Sequence, residues 1–106
     1  MVLTEGFTKA ESRKLRELAE LAYDRELSAG LNELGEDFTR WRANDINAFD
    51  LSDAIHEFHN GLSRELWSLY TRLKPPMIVR SALERGVLTA SDVPAKLLAK
   101  LRARTA

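Results

Sequence analysis

Apolar residues recur along this chain at intervals of three and four and nowhere alternate one by one, so the pattern predicts helices throughout and no strand. Leu15, Ala19, Tyr23, Leu27 and Leu31 fall every fourth residue, with Leu18 and Ala22 beside them, and the spacing continues through Leu34, Phe38 and Trp41 without a slip. An interrupted helix would have no reason to keep that phase. The pattern therefore predicts one helix to about Arg42, running through Gly30 and Gly35, although each glycine costs ~1 kcal/mol relative to alanine in a helix interior. Thr8 and Glu11 mark its start, because the Thr hydroxyl can accept from the Glu11 N–H while the Glu carboxylate reaches back to the Thr8 N–H.

Ala43-Asn44-Asp45 reads as a tight connection, and Asn47 with Asp50 three residues on reads as the next cap, with Ile46 placed to pack on Leu51. Leu51, Ile55, Phe58, Leu62, Leu66, Leu69 and Leu73 then share one face of a second helix, ended by Lys74-Pro75-Pro76. A connection this short makes the two helices antiparallel. A third helix is expected over roughly 77–85, stopped by Gly86. Thr89-Ala90-Ser91-Asp92 reads as a cap opening a fourth, with Pro94 in its first turn and Val93, Leu97, Leu98 and Leu101 on its apolar face. Val87 and Leu88 are expected to anchor the loop between them. The fold class predicted is all-α and bundle-like, a single domain over 1–106: a tail over 1–7, a long antiparallel helical hairpin over 8–73, and two shorter C-terminal helices over 74–106.

At 1.5 Å per residue a helix over 9–42 is roughly 50 Å long, whereas a compact chain of this size is roughly 35 Å across. The overhang carries Leu27, Leu31, Leu34, Phe38 and Trp41, faced by Phe58 and Leu62, and a lone hairpin with two short helices cannot cover them all. These seven residues are the expected interface of a homo-oligomer, most simply a two-fold dimer; another protein could serve as the partner.

Composition narrows the chemistry. At 106 residues, 44% apolar and 30% charged, the chain suits one folded domain and not a disordered one. With Cys 0 there is no disulfide, thiolate metal site or cysteine nucleophile. No apolar run approaches a bilayer span and the opening residues lack a signal-peptide pattern, so the expected address is the cytoplasm, with no membrane partner. Residues 1–73 hold 9 basic and 14 acidic side chains and residues 74–106 hold 7 and 2, so the basic C-terminal part can dock on the acidic remainder. Lys96, Lys100, Arg102 and Arg104 also lie toward the negative end of the last helix, which favours cations there without any outside partner.

Both histidines fall in Asp53-Ala54-Ile55-His56-Glu57-Phe58-His59-Asn60-Gly61. Asp53 and His56 have the (i, i+3) carboxylate–imidazole spacing that supplies half of a bundle metal site, and a two-fold axis could supply the rest. Asp53, His56, His59 and Arg64 are thus the candidate ligand or metal residues, and a small metal-dependent or acid/base enzyme is the alternative function. The plainer reading makes the histidines edge residues, hydrogen-bonded to backbone, Tyr70 or a carboxylate. Gly61 reads as a close helix contact, or else as the opening of a pocket beside Arg64. The rings of Phe38, Trp41, Phe49, Trp67 and Tyr70 read as core, not as a cofactor box. DNA binding through residues 77–104, on loose helix-turn-helix proportions, is a lesser alternative; nucleic acid is not expected, since no basic stripe with interleaved aromatics is present. No phosphate loop, serine-hydrolase elbow, zinc-protease or calcium motif is present, and no cofactor is implied. The leading expectation is an oligomerising interaction or structural module without catalysis of its own.

Overall fold

The computed structural model describes residues 6–103. Its elements are α1 (Lys9–Arg42), α2 (Ala48–Phe58), a π turn (His59–Ser63), α3 (Arg64–Arg72), α4 (Pro75–Glu84), a single 3₁₀ turn (Ala90–Asp92) and α5 (Ala95–Ala103). Among the described residues the fold is all-α.

α1 is one unbroken helix of 34 residues. The Glu11 N–H donates to Thr8 Oγ1 at 3.0 Å and the Thr8 N–H to Glu11 Oε1 at 2.9 Å, so two N–H groups the helix cannot pair internally are satisfied at once. At its far end Asn44 adopts φ 64, a left-handed conformation that asparagine tolerates better than most residues, and Asp45 N–H closes on the Arg40 carbonyl at 2.8 Å. Asn47 and Asp50 then repeat the reciprocal cap at the start of α2. The second rod runs back along the first: Gly30 lies against Phe58 and Leu62, and farther down Tyr23 stacks on Tyr70 with ring centroids 4.6 Å apart.

The second rod is not uniformly α-helical. His59–Ser63 form a π turn with right-handed backbone on both sides, so the axis continues while the face rotates. A turn bonded i to i+5 takes up about one extra residue, which sets the following helix back by roughly 100°. The rotation brings Leu66 into the interior and Tyr70 onto α1, and leaves Leu62 and Ile55 at the surface, 38% and 40% exposed. The seven-residue stripe expected from spacing is therefore two stripes with a phase change between them.

Past Arg72 the chain packs back on the first half of α1. α4 begins at Pro75, two residues before the expected start, because a proline at the first helical position lacks only an N–H that would be unpaired anyway and already holds a helical φ. Gly86 has φ 78, the left-handed geometry expected after the helix end. The cap expected to open the last helix closes only the 3₁₀ turn: Thr89 N–H donates to Asp92 Oδ2 at 2.8 Å, Val93 is extended, and α5 starts at Ala95, after Pro94. An extended residue before a proline is what that ring's steric demand enforces.

The core sits at this end. Leu15, Leu18 and Ala22 of α1, Val79 and Ala82 of α4, Leu88 and Val93 of the connection, and Leu97, Leu98 and Leu101 of α5 form one buried cluster. Three ion pairs clamp it. Arg25 grips Asp92 with Nη1 and Nη2 at 2.9 and 3.0 Å, Lys100 reaches Glu11 at 2.7 Å, and Arg85 reaches Glu26 at 2.5 Å. Two of the three join a basic residue of the C-terminal part to an acid of α1. Beyond the core, α1 and α2 project as a two-helix arm, and the molecule measures 55 × 26 × 24 Å. Its radius of gyration of 17.6 Å exceeds the ~13 Å of a compact chain this long.

Candidate functional site

The arm has little interior of its own. Between residues 27 and 62 only Gly30 and Leu51 are fully buried. Of the seven residues expected at an interface, Leu27, Leu34, Phe38 and Phe58 are half-buried, while Leu31, Trp41 and Leu62 are exposed. Two helices side by side shield only the residues along their line of contact, and the outer edges of an apolar stripe wider than that line stay in water.

The aromatic residues expected in the core lie mostly outside it. Phe49 is 80% and Trp67 61% exposed, Trp41 is exposed, and only Phe38 and Tyr70 are half-buried. Phe49 sits in the first turn of α2, one residue before the capping Asp50, where the helix has no neighbour to bury it. Trp67 is turned out by the rotation that turns Leu66 and Tyr70 in.

Around the π turn, His59, Ser63, Arg64 and Trp67, together with Tyr23 of α1, line an open depression of about 360 Å³. Two of the four candidate ligand residues, His59 and Arg64, therefore meet; Asp53 and His56 are exposed on α2 and take no part in it. Among the described residues no three His, Asp or Glu side chains gather closely enough to hold a metal ion. On the arm a second groove of about 320 Å³ is lined by the apolar Leu34, Phe58 and Leu62 and the acidic Glu33, Asp37 and Glu57.

Gly61 does not mark the close contact: a Cβ there would meet nothing within 4 Å. That role falls to Gly30, where a Cβ would run into Leu62 Cδ2 and come within 3.0 Å of Phe58 Cε1. Gly30 is buried because α2 and the π turn cross α1 at that level.

Where the arm meets the core, Glu26 accepts from the Tyr70 hydroxyl and from Arg85, both at 2.5 Å. Burial, with the neighbouring Glu26 carboxylate, pushes the Tyr70 phenol up to about 12. The Arg25 guanidinium and the Thr89 N–H hold Asp92 well below the usual carboxylate range, and the Lys100 ammonium lowers Glu11 in the same way. These residues carry little sequence signal, because their partners stand 44 to 89 positions away.

The helix-turn-helix proportions do not hold. The last residue of α4 and the first of α5 are Glu84 and Ala95, and the long connection between them carries its own 3₁₀ turn. α5 buries Leu97, Leu98 and Leu101, and Lys100 is committed to Glu11 and to the Gly6 carbonyl, while Arg104 lies outside the described residues. No described helix is long and apolar enough to cross a membrane. Neither a family model, nor a curated protein, nor a solved structure matches the chain, so the functional reading rests on geometry.

Proposed function

We propose that this chain is a cytoplasmic interaction module that self-assembles, its working surface being the helical hairpin of α1 and α2 and its partner, in the simplest case, a second copy. The observation that carries the reading is the exposure of large apolar side chains on the arm and at its root, with Leu31 at 48% and Trp67 at 61%. Scattered apolar residues are ordinary on a protein surface, but a projecting two-helix arm with almost no buried interior is a poor way to lower the free energy of an isolated chain. Trp, Tyr and Arg together, as in Trp67, Tyr23 and Arg64, are also the residue types on which binding energy concentrates.

Sedimentation at micromolar concentration tests the reading. The expected mass is twice that of the 12.0 kDa chain, shifting toward one chain when Leu31 or Trp67 is replaced by alanine while helix content is kept. A wild-type mass of one chain across the accessible range, with no other protein copurifying, overturns it.

A further inference from the structure

The π turn does more than change the phase of the second rod; it brings polar side chains together on one side of it. In a continuous α-helix His59 and Arg64, five residues apart, would stand roughly 140° from each other around the axis. Because His59–Ser63 form a turn bonded i to i+5, residues four and five apart come round to nearly the same side. Ser63 lies four residues before Trp67 and Arg64 three before it, the spacings at which side chains on a helix are neighbours. Turn and helix together therefore gather an imidazole, a hydroxyl, a guanidinium and an indole around the depression of about 360 Å³ that Tyr23 also lines.

These groups are complementary and unused. Among the described residues, no side-chain hydrogen bond or ion pair engages His59, Ser63 or Arg64, whereas Arg25, Arg85 and Lys100 at the core end are each held by a carboxylate. No Asp or Glu lines the depression to compete for Arg64. A guanidinium presents a planar fork that takes an oxyanion in two parallel bonds, a serine hydroxyl can donate, and an imidazole keeps at least one N–H in either protonation state. The aromatic side is partly fixed in advance: Tyr23 is stacked on Tyr70 with centroids 4.6 Å and planes 5° apart, and Tyr70 is tied to Glu26. Trp67, 61% exposed, adds an uncovered ring. Donors without acceptors beside bare aromatic surface suit a molecule that brings negative oxygen and a flat apolar ring together. The volume stands at the small end of ligand sites, room for one ring with its acidic group and not for a dinucleotide.

We infer that the depression at the π turn binds a small aromatic oxyanion, a single planar ring bearing a carboxylate or a phosphate. Arg64 grips the charged oxygens, Ser63 and His59 add hydrogen bonds, and the ring lies against Trp67 and Tyr23. The site goes beyond self-assembly and does not depend on it.

Trp41 lies at the far end of α1, outside the depression, so full-length Trp41→Phe leaves Trp67 as the single tryptophan and its fluorescence reports the site. The chain is titrated at a dilution where it is single, because a second copy would compete for Trp67. Benzoate or phenyl phosphate should change the emission saturably, with half-saturation at roughly 0.1–1 mM, and the tighter of the two identifies the favoured oxyanion. Neutral benzamide and inorganic phosphate, each carrying one half of the ligand, should bind about tenfold more weakly. Arg64→Gln should weaken binding of the anion about tenfold and Ser63→Ala about threefold, while His56→Gln, on α2 outside the depression, should leave it unchanged. No saturable change with either anion up to about 10 mM, benzamide or phosphate binding as tightly as the aromatic anion, or undiminished binding by Arg64→Gln overturns the site. Each of these results leaves self-assembly, which sedimentation reads, as it stood.

Discussion

The two ends of α1 obey the same sequence rule and meet different fates. Leu15, Leu18 and Ala22 recur at three and four just as Leu27, Leu31 and Leu34 do, yet the first set is fully buried and the second is half-buried or exposed. Periodicity decides which residues share a face; what lies opposite that face decides whether they are buried. The first set has α4, the connection and α5 around it, with ion pairs closing the edges. The second has only α2. One end of the molecule is a folded core and the other is a surface held in shape by it.

Deleting apolar volume should separate the two ends most sharply. Leu97→Ala, at 2% exposure inside the buried cluster, should lower unfolding free energy by about 3 kcal/mol, since it removes a buried side chain and leaves a cavity. Leu31→Ala, nearly half exposed, should cost no more than about 0.5 kcal/mol at a concentration where the chain is single. Urea melts of both variants make the comparison. Similar losses would mean the arm is shielded in solution as thoroughly as the core.

A smaller effect is expected at the joint. Glu26 is the shared acceptor of Tyr70 and Arg85, and Glu26→Ala leaves a half-buried hydroxyl and a guanidinium without it. The cost should be about 1–2 kcal/mol, and amide exchange should quicken in α3 and α4 before it does in the outer arm.

Much of this architecture is legible in the residues, and the illegible parts have definite causes. The caps at Thr8 and Asn47, the unbroken α1 and the left-handed Gly86 follow from local chemistry, since each is decided within four positions of itself. The proline start of α4 was readable on the same ground, in Lys74-Pro75. The π turn was not: the three-and-four spacing from Leu51 to Leu73 fits one continuous α-helix, and the contacts that accompany the turn, Tyr70 stacked on Tyr23 and bonded to Glu26, join residues 44 or more positions apart. The exchange of roles between Gly61 and Gly30 has the same origin, because which glycine lies under the neighbouring rod depends on where the rods cross. At the candidate site, His59 and Arg64 were each legible as candidate ligand residues, whereas their meeting in one depression with Tyr23 comes from the π turn and tertiary packing.

The glycines sharpen the comparison within a single helix. Gly35 is exposed and a Cβ there meets nothing within 4 Å, so Gly35→Ala should raise stability by about 1 kcal/mol, the full propensity difference in a helix interior. Gly30→Ala gains the same helix term, but Leu62 must swing out and Phe58 must give way, so its net gain should be smaller or negative. Thermal melts of the two variants read the difference directly. Equal gains would show that the rods do not press together at Gly30.

The smallest effects expected are those of pH, and they belong to the core end because its ion pairs join separate elements, whereas the arm's Asp37–Arg40 pair lies within α1. Glu11 and Asp92 are held below their ordinary values of 4.5 and 3.8, first by Lys100 and Arg25 respectively. A carboxylate depressed in the folded state adds stability that is present above its unfolded value and lost as pH falls through the folded one. Acid should therefore begin to loosen the core end below about pH 4, without touching the packing of Gly30 on Leu62. Tyr70 runs the other way: its phenol is raised from 10.0 to about 12, so its contribution is intact below pH 10 and disappears as pH climbs toward 12. Spectrophotometric titration of the phenols should show a late component that Tyr70→Phe removes, while amide exchange in acid should quicken in α5 ahead of α2. If α2 opened first in acid, the ion pairs would not be what distinguishes the two ends, and packing density alone would have to carry the contrast.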